Sequence, residues 1–353
     1  MAYTTIDDPS VYFQIALYTG NETARAITFD GNSDLDVDWI WLKSRSATGN
    51  HHVYDTVRGT QKHLRTNLTN AEGTNGGTDG VTAFGSDGFT VGANTGSNAD
   101  GVTFVGWGWK AGTSFTNDAS STGVGSIDSA GSVSTDAGFS IISFTDDTSN
   151  ATIAHGLGVV PKAIIIKNRA AGEDWYSYWQ PLGNDKQLRL SSTAAVADAG
   201  SMWNDTTPTS SVFSLDADAA GLSSGAYIAY CFAEKKGYSK IGSYVGNGNV
   251  DGTFVYCGFK PAFILQKNTA RAGSGWGMFD TTRTPFNVSK GMLIASANAV
   301  EDASNAARVD FLSNGFKWRT TDNWFNDNGA TTIFIAFADN PFVTSTGVPA
   351  TAR

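Results

Sequence analysis

The chain has 353 residues, of which 41% are hydrophobic and only 16% charged, and its formal net charge is −9. That length holds one large or two to three ordinary domains, and the apolar fraction is enough for a real core. The acidic balance argues against general nucleic-acid binding, because the closest approach to a basic cluster (Lys43, Arg45, Arg58, Lys62 and Arg65) is mixed with acids.

No apolar run is long enough for a membrane-spanning helix. Met1 to Asp8 has neither the basic head nor the apolar stretch of a secretion signal. Two cysteines, Cys231 and Cys257, are too few for a disulfide scaffold, and their apolar settings predict buried free thiols. Gly, Ser, Thr, Asn and Asp supply most of the polarity. Such residues suit short strands joined by tight turns.

In chain order, residues 1–11 read as a polar arm. Phe13, Ile15 and Leu17 alternate as a strand with one face inward does. A second apolar run, 24–29, stops at Asp30-Gly31-Asn32. Trp39-Ile40-Trp41-Leu42-Lys43-Ser44-Arg45 follows, a continuous apolar run closed by a lysine, which predicts a strand buried on both faces. Its lysine is expected where the strand meets solvent or a loop. Val81 to Phe84 and Phe89 to Val91 flank a glycine-containing turn, a hairpin signal. In Val105-Gly106-Trp107-Gly108-Trp109 the two glycines predict close packing against the backbone. Residues 111–137 are small and polar and read as a linker.

The pattern then recurs. Ala163-Ile164-Ile165-Ile166-Lys167-Asn168-Arg169 and Ala262-Phe263-Ile264-Leu265-Gln266-Lys267-Asn268 repeat the opening run. Phe139 to Thr145 and Tyr238 to Val245 repeat Tyr12 to Thr19, and the closing runs at 227–233 and 332–338 match 102–110. The expected fold is all-β: repeated β-sandwich-like units, three related units of about 100 residues. The boundaries are an N-terminal arm 1–11, unit 12–110, a Gly/Ser/Thr-rich linker 111–137, units 138–236 and 238–340, and a loose polar tail 341–353. Whether the units are separate sandwiches or share sheets stays open. No long amphipathic helix is predicted; the alanine-rich stretch 289–307 comes nearest.

Candidate sites are few. His51 and His52, near Asp55 and His63, are adjacent and would point to opposite strand faces, so surface or turn histidines are expected rather than a metal site. His155 reads as a turn residue. Asp30, Asp34, Asp36 and Asp38 form an acidic stretch without the spacing of a calcium loop, so a solvated loop is expected. Nucleophile elbows and phosphate loops are absent, and Glu173-Asp174 beside Trp175 is the only carboxylate pair in an apolar setting. No catalytic residue, metal or cofactor is assigned. Of the ten tryptophans, Trp203, Trp276, Trp318 and Trp324 lie in polar or glycine-rich sequence. They are the candidate surface aromatics for glycan or subunit contact.

Tyr18-Thr19-Gly20-Asn21, Trp39 to Arg45, His51-His52-Val53-Tyr54-Asp55-Thr56-Val57-Arg58-Gly59, Ser86 to Gly92 and Trp107-Gly108-Trp109-Lys110-Ala111-Gly112 together resemble a repeat domain of tail-fibre and other virion proteins of tailed phages, cyanophages included. The resemblance is specific over about 12–112. Later stretches keep His155-Gly156-Leu157 and the Lys-Asn-Arg strand end but lose the His-His string. The third retains only Phe279-Asp280-Thr281-Thr282-Arg283 there. The resemblance implies a non-enzymatic virion structural protein, a tail fibre or receptor-binding component contacting the host surface. Its expected partners are other virion proteins, a host surface glycan or protein and, by analogy with fibres, two further copies in a homotrimer. The alternatives are a head decoration or fibre protein and a cell-surface polysaccharide depolymerase.

Overall fold

Strand Trp39–Ser44 is buried along its whole length, as a continuous apolar run requires. Trp39 and Trp41 point to one face and Ile40 and Leu42 to the other, and both faces are covered. The computed structural model describes residues 3–74, 79–198, 200, 202–217, 219, 221–304 and 308–351. Those residues form six β-sheets; the only α-helices among them are the single turns Thr95–Asn98 and Ala119–Thr122. The fold is all-β.

Three sheets are large. The first runs in the order Phe13–Thr19, Thr103–Trp109, Trp39–Ser44, His52–Asp55, Lys62–Arg65, Gly73–Thr74. The second runs Thr113–Asn117, Ser129–Ser134, Phe139–Asp146, Gly225–Phe232, Ala163–Asn168, Tyr176–Trp179, Lys186–Arg189, Ala197–Asp198. The third runs Ser239–Val245, Thr331–Pro341, Phe259–Asn268, Gly277–Asp280, Leu293–Ile294. Smaller sheets cover their outer faces: Arg25–Thr28 with Gly88–Val91 and Val81–Gly85, Ala151–Ala154 with Val212–Leu215, and Phe254–Tyr256 with Gly315–Trp318 and Val309–Leu312. Among the described residues no sheet mixes strands from the three stretches 13–109, 113–232 and 239–341.

What the stretches share is a core. The inner faces of all three large sheets contribute to one apolar cluster, with Trp39, Trp41 and Trp109 from the first, Ile165, Trp179 and Phe232 from the second, and Phe263, Leu265, Ile335 and Phe337 from the third. These ten residues surround a small axial void of about 20 Å3. Ring contacts cross between sheets, as in Trp39–Tyr230 at 4.7 Å, Trp107–Phe263 at 5.7 Å and Trp179–Trp276 at 5.6 Å between centroids. Such aromatic pairs add to area burial.

The glycines of the closing strand act as expected. A Cβ on Gly108 would sit 2.5 Å from a ring carbon of Phe29. That approach seats the small outer sheet on the large one.

Three expectations need correction. Residues 111–137 are not a linker: Thr113–Asn117 and Ser129–Ser134 pair with each other, and the latter pairs with Phe139–Asp146, extending the second sheet. Their small residues permit this pairing, since a Cβ on Gly131 would run into the Ile141 carbonyl. The tail is not loose in its described part, because the N-terminal arm is docked on the fold and holds it. Thr4 and Ile6 are buried, Thr4 Oγ1 donates to the Lys236 carbonyl at 2.7 Å, and Ser345 N donates to Asp7 at 2.6 Å. Of the two settings expected for the lysines that close the opening strands, solvent does not hold and the loop does: Lys167 Nζ donates to Ala171 O and Lys267 Nζ to Ser274 O in the loops that follow. Lys43, Lys167 and Lys267 are fully buried. The alanine-rich stretch 289–304 holds no helix, and 305–307 lie outside the described residues.

Candidate functional site

The Asp-Thr-x-Arg string at 55–58 and again at 280–283 builds the strongest charged feature inside the protein. In each, the arginine main-chain N–H donates to the aspartate at 2.8 Å and the guanidinium Nε at 2.5 Å. Its Nη2 donates to a strand carbonyl, Val53 at 2.9 Å or Met278 at 3.0 Å. Both ion pairs are fully buried. A buried charge without partners would be untenable, so each pair is completed from a neighbouring stretch.

At the boundary of the first and second stretches, Tyr230 Oη donates to Asp55 Oδ2 at 2.7 Å, and Glu72 bridges Arg58 at 3.3 Å and Arg169 at 2.9 Å. Burial pushes the Glu72 carboxyl up, but its hydrogen bonds to Arg169 and the two guanidinium charges outweigh this and hold it below the usual carboxylate range. At the boundary of the first and third, Trp107 Nε1 donates to Asp280 Oδ2 at 3.0 Å, and Glu301 bridges Arg283 at 2.9 Å and Arg45 at 2.6 Å. At the boundary of the second and third, Trp179 and Ile335 both line the axial void, and Val196 takes the place of a glutamate. One main-chain bond marks the same register at all three: Glu72 N to Arg169 O at 2.8 Å, Glu301 N to Arg45 O at 2.9 Å, and Val196 N to Thr269 O at 2.7 Å. Two boundaries therefore carry ion-paired ladders, and the third has apolar side chains at those positions.

A second set of contacts crosses the same boundaries. Trp175 Nε1 donates to Arg65 O and Trp276 Nε1 to Arg189 O, both at 2.9 Å. His51 holds the corresponding place in the first stretch; its Nδ1 accepts from Trp41 Nε1 at 2.9 Å and its ring lies against the main chain of Ile294. The buried lysines close the inner faces. Lys43 Nζ donates to Ser44 O, Lys167 Nζ to Asn168 O at 2.7 Å and Ala171 O at 3.0 Å, and Lys267 Nζ to Ser274 O. Burial pulls each ammonium down to about 8.

The sequence-derived candidates fall differently from expectation. Trp203, Trp276 and Trp318 are buried and only Trp324 is partly exposed, so three of the four present no surface. Trp203 donates to Lys186 O at 3.2 Å and packs on Tyr178, while Trp318 stacks on Phe325 at 5.0 Å. Local polarity misleads here because tertiary packing covers these rings. His51, His52 and His155 are buried too. The acidic loop does behave as a solvated one: Asp34 and Asp36 are exposed between buried Leu35 and Val37. Asp38 instead accepts from the main-chain N–H groups of Ala111 and Gly112, both at 2.8 Å. Among the described residues no group of three potential metal ligands occurs. Cys231 and Cys257 are buried free thiols.

One surface feature has the makings of a binding site. A polar depression of about 480 Å3 lies on the first stretch, walled by the 47–50 loop, His52, Arg65 and the 94–96 turn. Its volume falls within the roughly 300–1,000 Å3 range of small-molecule sites. His52 and Arg65 face each other across paired strands, and Arg65 Nε donates to His52 Nε2 at 3.3 Å. Burial, with the nearby His63 and Arg65, pulls His52 down to about 3, so the ring is neutral at pH 7. The loops that make this depression lie within 46–80 and 92–102; the first follows the opening strand, while the arginine carries no sequence signal of its own.

Residues 8–341 match the family described as a domain of unknown function, DUF7483. No curated protein matches the chain.

Proposed function

The chain belongs to the DUF7483 family, and we propose that it is a non-enzymatic structural protein of a tailed-phage virion, a tail-fibre or receptor-binding component that contacts the host cell surface. In this reading the stretches 12–110, 138–236 and 238–340 are three related β units fused in one chain. The recurring strand orders and the recurring main-chain bond at the three boundaries support the relationship. Its partners are other virion proteins and a host surface glycan or protein.

The observation that carries the reading is the single core closed by ladders of charged and aromatic side chains. No stretch can open without exposing tryptophans and stripping a buried ion pair of its Tyr230 or Trp107 donor, which suits a particle component that must stay rigid under load. Rigid strands then hold the outer loops, where recognition residues are tolerated and varied.

Labelling purified particles with an antibody to the chain, together with adsorption of the purified protein to host cells, tests this. Label at the tail, saturable adsorption and no new reducing ends in the host glycan are expected. Label confined to the head favours decoration, and release of reducing ends makes the protein a depolymerase; either overturns the reading.

A further inference from the structure

Two arginines occupy matching strand positions and differ in one respect. Arg189 lies across from Tyr176 in the second sheet, as Arg65 lies across from His52 in the first. Arg189 is neutralised: Asp174 pairs with it at 3.1 Å, and Ser191 steadies the carboxylate at 2.7 Å. Asp174 stands immediately before Trp175, and Asn50 stands immediately before His51. The residue two beyond each arginine is likewise matched, since Asn67 donates to Asn50 Oδ1 at 2.8 Å where Ser191 donates to Asp174. An uncharged amide therefore occupies the position of the carboxylate. Among the described residues, Arg65 has no acidic partner, and no acid lines its depression.

That absence is notable in a chain with a net charge of −9. Asp55, Asp280, Glu72 and Glu301 show that carboxylates are set against arginines wherever the two meet inside the fold. The guanidinium Nη groups are left with hydrogen-bonding capacity directed to no carboxylate, in a planar fork suited to one. Around it stand amides and hydroxyls, Asn50, Asn94, Ser44 and Thr48, which both donate and accept, as sugar hydroxyls require. The volume is larger than a bare inorganic anion needs.

We propose that this depression binds an acidic sugar, with Arg65 holding the carboxylate of a uronic-acid residue and the surrounding amides and hydroxyls holding its ring. The assignment rests on the reading of the chain as a host-contacting protein, and it names the class of glycan contacted. Among the described residues the stretch 13–109 alone carries the site: in the second sheet the arginine is neutralised by Asp174, and in the third Ile294 stands at its place.

The test is calorimetric titration of the full chain with an oligogalacturonate, with a neutral oligosaccharide of equal length, and with inorganic phosphate. Saturable binding of the oligogalacturonate alone is expected, weakening as salt is raised. Asn50→Asp, which supplies the carboxylate that the second sheet already has, and Arg65→Gln should each weaken it by about tenfold or more with the unfolding midpoint unchanged. Absence of saturable binding, undiminished binding by Asn50→Asp, or equal binding of phosphate, which would mean an adventitious anion only, overturns the proposal. Cell adsorption in parallel separates the two readings. Wild-type protein that binds oligogalacturonate but ignores cells defeats host attachment alone. Protein that adsorbs to cells but binds no uronate defeats the sugar site alone.

Discussion

Tyr230 donates its hydroxyl to Oδ2 of Asp55 at 2.7 Å, joining residues 175 apart in the chain inside a fully buried ion pair. The counterpart bond, Trp107 to Asp280, uses a different ring for the same purpose. At the remaining boundary both members are apolar, Ile335 and Trp179. The donor and the acceptor are thus kept together or lost together, as the desolvation of an unpaired buried group demands.

Removing the donor alone should expose that coupling. Tyr230→Phe keeps the ring and should destabilise the protein by about 1–3 kcal/mol in urea unfolding at pH 7. Asp55→Ala leaves Arg58 buried without its carboxylate and should lose more, about 3–5 kcal/mol. Equal and negligible effects of the two would mean that the hydroxyl does not bridge the boundary.

The polar and apolar boundaries should be interchangeable when changed as sets. Glu72→Val leaves Arg58 and Arg169 without a shared partner and should destabilise by about 1–3 kcal/mol. Adding Arg169→Thr recreates the Val196–Thr269 pair and should recover part of that loss, with a coupling of about 0.5–2 kcal/mol in a double-mutant cycle. Strict additivity would contradict the ladder.

The buried lysines predict an unusual pH dependence. Their folded value is about 8 against 10.5 for the free side chain. Between those values the unfolded chain binds more protons, so stability rises with pH, by up to about 1.4 kcal/mol per unit for each lysine. Buried tyrosines such as Tyr230 and Tyr238, raised by burial, work the opposite way once pH passes about 10. Urea midpoints should climb from pH 7.5 to 9.5, and Lys167→Met should flatten the climb. A level profile in the wild-type protein would show that the lysines are not buried as charged groups.

Much of the fold was legible because its signals are local. Trp39 to Leu42 alternates across a doubly covered strand, and Gly106 and Gly108 announce the rings that press on them. The ladders were half legible. The Asp-x-x-Arg spacing is visible at 55–58 and 280–283, but its partners, Tyr230 and Trp107, come from other stretches and have no local mark. For the same reason Trp203, Trp276 and Trp318 read as surface rings and are core. The strands Thr113–Asn117 and Ser129–Ser134 have no local mark because they are built mostly of Ser, Thr, Gly and Ala and carry almost no apolar pattern. Lysine predicts solvent wherever carbonyl partners cannot be foreseen, and those of Lys43, Lys167 and Lys267 are the last residue of the same strand, the loop that follows it or a neighbouring stretch. Arg65 became informative only when set beside Arg189.

Scanning calorimetry of the full chain, with Ile165→Asp beside the wild type, tests most directly whether the three stretches share one core. Ile165 lines the axial void with residues of the other two sheets. A single transition is expected, with calorimetric and van't Hoff enthalpies in agreement, and Ile165→Asp should lower or abolish it as a whole. Two or three resolved transitions, with Ile165→Asp displacing only one, would contradict the shared core.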